Sequence, residues 1–326
     1  YPNPSVVFAS IEDLHFDDEV TLVTNQPVFA ALGAKCQFSI GSLLFVDQAQ
    51  QNLWDALDND LANGEIVTLG GGLAADAGKY LASRASRQVT VIPTALSVDA
   101  FMAWSSAVRK DGCVRYLTTT VADRLVIDLE TISRAPAWIR AAGVCDLLSI
   151  AVGCADWQLA QKTGRLGPHE AFEPWAVALA QEILQATLDC ASLAGAGDLG
   201  ALRELLGCLL LSTQLLNILG HARPEEGSEH YFAYAVENLV GSGFPHAELV
   251  CPGILIMADL HGLEWLPLKE AILTAGVRLN RLDSGMIRRT LQDLPAYCQK
   301  HALPFGIAHQ LTPEEILRLD LANIFS

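Results

Sequence analysis

Glu65-Ile-Val-Thr-Leu-Gly-Gly-Gly-Leu-Ala-Ala-Asp-Ala-Gly-Lys79 is the stretch that decides the fold. Its opening residues are apolar or β-branched and read as a strand, three glycines follow, and Ala74–Ser86 has helical composition. Glycines at a strand-to-helix junction let the main chain approach an anion closely. The helix start then offers free N–H groups and the positive end of its dipole. Gly70, Gly71 and Gly72 therefore predict a phosphate cradle, although the pattern is not G-x-G-x-x-G and a tight turn without ligand is its other reading. Asp76 and Lys79, three residues apart, read as an exposed ion pair on the same helix.

The same alternation extends to either side. Glu19–Thr24 reads as a strand, with a short helix around Pro27–Leu32, and Asp47–Leu61 has helical spacing in Leu53, Leu57 and Leu61. Gln88–Ile92 is a third strand, stopped by Pro93; a hairpin is expected over Ala107–Thr119 and a further strand over Arg124–Asp128. Beyond Pro136 the pattern becomes helical, over Pro174–Leu193, Leu199–Gly220, Glu226–Leu239 and Ala247–Gly262, with a loop at Gly195–Gly200. Thr312-Pro-Glu-Glu315 is a capping box opening a last helix. The expected fold is a Rossmann-like α/β domain with a mostly parallel sheet over residues 1–135, then an all-helical domain over 136–326, with a cleft between them.

Composition narrows the function. Of 326 residues, 51% are hydrophobic and 18% charged, which excludes a disordered chain. The net charge of −16, without any Lys/Arg cluster, argues against nucleic acid and anionic membrane surfaces as partners. The apolar stretches Leu205–Gly220 and Leu249–Leu260 fall short of the roughly 20 residues a membrane span needs. Tyr1-Pro-Asn-Pro4 has neither the basic start nor the apolar core of a signal peptide, and eight cysteines are scattered without a C-x-x-C pair. Reduced, mostly buried thiols and a cytoplasmic location are expected.

In open parallel sheets ligands gather at the carboxyl ends of strands, so Thr94, Ser97 and Asp99 would face the same crevice as the glycines; a hydrogen-bonded turn is the alternative. Asp146, His230 and His246 offer one carboxylate and two imidazoles, which can hold Zn²⁺ or Fe²⁺ with positions left for a substrate oxygen. Taken singly, each histidine also suits a capping or core role. The two lie too far apart in sequence to share one face of one helix.

Four segments in this order carry a resemblance: GGGLAADAGKYLA, IPTALSVDAF, APAWIRAAGVCDLLS running into ADWQLA, and GSEHYFAYAVE with PHAELV. Over about Ile66 to Gly262 the chain resembles the sn-glycerol-1-phosphate dehydrogenases. These stand within the wider group of glycerol dehydrogenase, iron-containing alcohol dehydrogenases and 3-dehydroquinate synthase. The resemblance implies a dehydroquinate synthase-like fold and an NAD or NADP site bordered by Gly70–Gly72 and Asp76, with Thr94 and Ser97 nearby. It implies a catalytic divalent metal, zinc before Fe²⁺ or Ni²⁺, on Asp146, His230 and His246, with Asp99 contacting substrate. The chain departs from the family at Tyr234, where relatives usually carry a second histidine, at Ala103, where they usually carry serine, and at Ala100, where they usually carry glycine.

Tyr234 sits one turn beyond His230 and can reach the same pocket, as a hydrogen-bond donor or as a packing residue. Met102 and Trp104 stand beside Asp99 and would reshape the substrate side. The expected activity is interconversion of a small polyol, or its phosphate, with the ketone, most like sn-glycerol 1-phosphate and dihydroxyacetone phosphate, with Asp146 and Tyr234 as catalytic and substrate-contacting groups. Arg109, Lys110, Arg115 and Arg124 are phosphate-binding candidates by chain proximity alone. The rival readings are a dehydroquinate synthase-like lyase using NAD transiently, and an inactive relative that binds nucleotide or a partner. Assembly into a homo-oligomer is compatible with either activity.

Overall fold

A computed structural model describes residues 4–241 and 243–325. The start of the chain, read above for a signal peptide, lies largely outside them. One compact unit runs to Pro136 and a second begins at Ala137.

The first unit is built on eight strands: β1 (Ser5–Phe8), β2 (Val20–Thr24), β3 (Ile40–Phe45), β4 (Ile66–Gly70), β5 (Val89–Pro93), β6 (Ser105–Lys110), β7 (Cys113–Thr118) and β8 (Arg124–Ile127). Six of them form a parallel sheet in the order β1-β8-β5-β4-β2-β3, and β6 and β7 pair as an antiparallel hairpin. Every residue of β2, β4 and β5 is buried, which is why these strands read as continuous β-branched and apolar runs without alternation. The connection leaving β2 goes to β3 on one side and that leaving β4 goes to β5 on the other. The chain therefore reverses direction between β2 and β4, the switch point where open α/β sheets take ligands. Beneath it Ile11, Leu22, Val67, Leu69, Ile92 and Val126 share a buried core.

In this unit two edge strands go beyond the sequence expectation and one helix falls short of it. The strands β1 and β3 were not expected. One is four residues long and the other carries Gly41 and Ser42, and both lie at sheet edges where propensity signals are weak. The helix expected over Asp47–Leu61 reduces to Gln51–Asp55 and a 3-10 turn at Asp58–Asp60. There Asp58, Asn59 and Asp60 favour turns, while the buried Trp54 anchors the segment through Nε1 to the Gln48 carbonyl at 3.0 Å. The hairpin forms as expected, closed by Asp111-Gly112 with φ of +54° and +75°, the backbone of a two-residue primed turn.

The second unit is helical throughout the described residues, from Ala137–Arg140 to Leu321–Phe325. The loop expected at Gly195–Gly200 shrinks to two residues. Gly197, at φ +88°, ends the Pro174–Ala196 helix, and the Asp198 side chain accepts from Ala201 N at 2.9 Å to start the next. That next helix, Leu199–Leu219, is long and apolar enough by length and composition to cross a membrane, contrary to the expectation above. Half of this apolar stretch is buried within the chain, as in a core helix. The capping box at Thr312 forms, with Thr312 N donating to Glu315 Oε2 at 2.9 Å. All eight cysteines are free thiols, and seven are buried.

Candidate functional site

The glycine turn leaves the sheet at its switch point. Gly70 ends β4 opposite Pro93, with φ of +156° that favours glycine, and its carbonyl accepts from Thr94 N at 3.1 Å. A Cβ on Gly72 would stand 2.6 Å from Val98 Cγ2, too close for any other residue without a shift. A Cβ on Gly71 would lie 3.3 Å from Ser97 Oγ. Thr94 and Ser97 thus gather around the three glycines as expected. The Gly72–Ala85 helix begins there with no side-chain cap on its first N–H groups among the described residues. These amides suit a pyrophosphate.

Asp76 and Lys79 are not on the surface. Lys79 is fully buried and Asp76 nearly so. The Lys79 ammonium donates to the carbonyls of Ala100 at 2.6 Å, Ala103 at 2.9 Å and Ser105 at 2.5 Å, and stands 3.3 Å from Asp76 Oδ1. Asp76 Oδ2 accepts from Ala107 N at 3.2 Å. The pair therefore fastens the segment that carries Asp99 against the helix following the glycines. Burial pushes the Lys79 pKa down and the Asp76 pKa up, each opposed by the other's charge. Met102 is fully buried and packs inward, so of the two bulky neighbours of Asp99 only Trp104 is partly exposed. Arg124 is engaged by Thr90 Oγ1 at 3.1 Å and by Glu65 at 3.8 Å.

In the helical unit the three expected ligands converge. Asp146 lies in the short helix Val144–Leu148, His230 is the third residue of Ser228–Val240, and His246 opens His246–Leu260 after Pro245. Asp146 Oδ1 is 3.2 Å from His246 Nε2 and 4.0 Å from His230 Nε2, and the two imidazole centroids are 5.3 Å apart. Asp146 and His230 are buried, while His246 is partly exposed. Burial raises the Asp146 pKa, but the His246 hydrogen bond and the charges of His246 and His230 outweigh it and hold the carboxyl below its usual range. Burial opposes a charged His230, yet Glu229, Glu226 and Asp146 hold its pKa up at about 9. Two imidazole nitrogens directed at one ionised carboxylate oxygen, in a pocket that concentrates negative charge, fit a divalent ion.

Tyr234 is buried, its ring 6.0 Å from that of His230, and its phenol donates to Glu226 Oε1 at 2.8 Å. A supporting layer went unread in the sequence. Glu229 Oε1 accepts from His230 Nδ1 and from Gly227 N, both at 2.8 Å, which fixes the imidazole with Nε2 directed to the ligand cluster. The buried Asp156 accepts from Ser228 N at 2.7 Å, Ser228 Oγ at 2.6 Å and Ile307 N at 2.7 Å, and pairs with His261 Nε2 at 2.8 Å. Glu248, two residues past His246, is buried and paired with Arg278 and Arg281. Only the adjacency of Glu229 to His230 was visible in the sequence.

Residues 9–136 match the family of iron-containing alcohol dehydrogenases. Across both units the chain is 29% identical over 221 residues to a glycerol-1-phosphate dehydrogenase [NAD(P)+] of Sulfurisphaera tokodaii. That match covers 68% of this chain but 62% of the relative, less than two thirds of its length. The fold matches a probable glycerol dehydrogenase from Sinorhizobium meliloti with a TM-score of 0.73 at 18% identity, over 98% of this chain and 96% of that one. In sequence and in fold the chain is thus similar to iron-containing alcohol dehydrogenases and glycerol dehydrogenases. The architecture is shared more widely. A 2-epi-5-epi-valiolone synthase from Streptomyces hygroscopicus, with NAD+ and Zn2+ bound, matches with a TM-score of 0.66 at 16% identity, over 99% of this chain and 97% of that one.

Proposed function

We propose that this chain is a metal-dependent, NAD(P)-linked dehydrogenase that interconverts a small polyol, or its phosphate, with the corresponding ketone. The observation that carries the reading is the meeting of Asp146, His230 and His246 around one carboxylate oxygen. A divalent ion held by these residues would supply Lewis-acid polarisation of a substrate oxygen, and a bound nicotinamide would supply the hydride exchange. The rest is the work of this chain's own residues. The amides after Gly70–Gly72 take the pyrophosphate, with Thr94 and Ser97 as flanking donors. Asp76 acts through Lys79 to hold the Asp99 segment, and Asp99 accepts from a substrate hydroxyl. Tyr234, held by Glu226, keeps a proton one turn from His230 and orients the reacting end.

Zinc is the first metal to try, with Fe²⁺ and Ni²⁺ as alternatives. The pair sn-glycerol 1-phosphate and dihydroxyacetone phosphate is the first substrate pair, because a relative at 29% identity bears that name. The deciding experiment follows nicotinamide absorbance with NAD and NADP across polyols and their phosphates, with each metal added. Substrate-dependent NAD(P)H formation supports the reading. Product formation without net change in NADH would transfer the chain to the lyase reading, and tight cofactor binding with no product from any substrate would leave a binding protein.

A further inference from the structure

We infer that the Cys145 thiol is a further protein ligand of the metal centre, completing a Cys-Asp-His-His donor set that favours zinc over iron. The inference rests on Asp146, His230 and His246 being the metal ligands. Cys145 is fully buried and directly precedes Asp146. Its Sγ donates to Asp146 Oδ1 at 3.2 Å, the same oxygen that His246 Nε2 approaches to 3.2 Å. Ligand atoms of Cys145, Asp146 and His246 all lie within 4.8 Å of one another. Bonds of about 2.0 to 2.3 Å on a tetrahedral zinc place ligand atoms roughly 3.3 to 3.7 Å apart, so one ion can span this group with small adjustments. The backbone at Cys145 is pinned, because its carbonyl accepts from Ser149 N at 3.0 Å and Ser149 Oγ at 2.8 Å.

The neighbouring positions explain why a thiol would serve here. One turn beyond His230 this chain has a phenol, which donates to Glu226 and offers no nitrogen to an ion. Cys145 Sγ stands as close to the shared carboxylate oxygen as His246 Nε2 does, both at 3.2 Å. On loading, the thiol releases its proton to solvent and a sulfur–metal bond forms, with no change of oxidation state. A soft thiolate beside two imidazoles suits Zn²⁺ and Co²⁺ better than Fe²⁺ or Mg²⁺.

Cobalt substitution tests this without any turnover. The full chain loaded with Co²⁺ should show a near-ultraviolet sulfur-to-cobalt charge-transfer band together with visible d–d bands. In Cys145→Ser and Cys145→Ala the charge-transfer band should vanish while d–d bands remain, and zinc affinity should fall roughly tenfold or more. Cys251→Ser, which alters the other buried thiol close enough to feel the Asp146 charge, should keep the band. Zinc K-edge absorption of the loaded wild-type chain needs no variant and should find one sulfur among the nearest neighbours. Bound cobalt without the band, or a band that survives Cys145→Ala, overturns the inference and leaves the Asp-His-His site standing. Failure of the wild-type chain to bind cobalt or zinc overturns both.

Discussion

Lys79→Met tests whether a buried charge holds the segment around Asp99. Methionine keeps the apolar stem and deletes the ammonium. Three carbonyls lose a donor held at 2.5–2.9 Å, and Asp76 Oδ1 loses its counter-ion at 3.3 Å. Breaking a buried ion pair by removing one partner costs about 3–5 kcal/mol, and each orphaned carbonyl about 1 kcal/mol or more. Asp76 keeps the Ala107 N–H and can take up a proton, which limits the loss. A destabilisation of about 4 kcal/mol is therefore expected. At roughly 3 °C per kcal/mol for a unit of this size, the melting temperature should fall by on the order of 12 °C. Urea unfolding and calorimetry read the effect, and NAD(P) affinity should fall with it, because Ser97 and Asp99 sit on the loosened segment. The double variant Lys79→Met/Asp76→Leu should recover part of the stability, since it no longer buries a lone carboxylate. A loss below about 1 kcal/mol, or a double variant no more stable than the single, would refute the reasoning.

Four further outcomes are expected. Gly71→Val should keep the fold, because the added Cβ meets only Ser97 Oγ at 3.3 Å, yet calorimetry should show NAD(P) binding weakened by about tenfold or more, roughly 1.4 kcal/mol. His230→Ala and His246→Ala should each lower metal content below stoichiometric by elemental analysis, whereas Tyr234→Phe should retain the metal and change turnover; full occupancy in either histidine variant would sink the ligand assignment. Glu229→Gln should leave all three ligands in place and weaken zinc about 10- to 100-fold in a chelator competition, through the lost orientation of His230. The pKa values of His221 and His309 are lowered chiefly by burial from an ordinary 6.5. The unfolded chain thus binds protons there before the folded one does, and their contribution to stability should shrink as pH drops below 6.5. Urea midpoints for wild type and His309→Gln should converge on acidification, and a constant gap would contradict the sign.

The parts of this molecule that were legible in the sequence are those whose cause is local. A buried parallel strand must be β-branched and apolar along its whole length, which made β4 and β5 plain. The main chain leaves β4 through Gly70 at φ +156°, and a Cβ on Gly72 would crowd Val98, which made the glycine turn plain. Asp111-Gly112 announced its hairpin for the same reason. Edge strands β1 and β3 are short or interrupted by small residues, and their identity comes from the neighbour they pair with. The metal ligands stood between these cases. No spacing rule joins Asp146 to His230 and His246, and only the order of whole motifs made the set readable. Lys79 shows the opposite failure. Residues three apart on a helix normally meet at the surface, and lysine is among the residues least often buried. What the sequence could not display is that the Ala100, Ala103 and Ser105 carbonyls would converge on one point and require a donor there.

The start of the His230 helix shows why such demands and the chemistry go together. Its first residues expose N–H groups that need acceptors, and the N-cap is Gly227, which has no side chain to offer. Glu229 takes the Gly227 N–H, and Asp156, from a distant helix, takes the Ser228 N–H and hydroxyl. Both acceptors are carboxylates at the positive end of the helix, where negative charge is favoured. The oxygen of Glu229 that caps the helix is also the one that holds His230 Nδ1. Helix capping and ligand orientation are thus one hydrogen-bond network. A change at Asp156 should therefore reach the metal through the helix it caps.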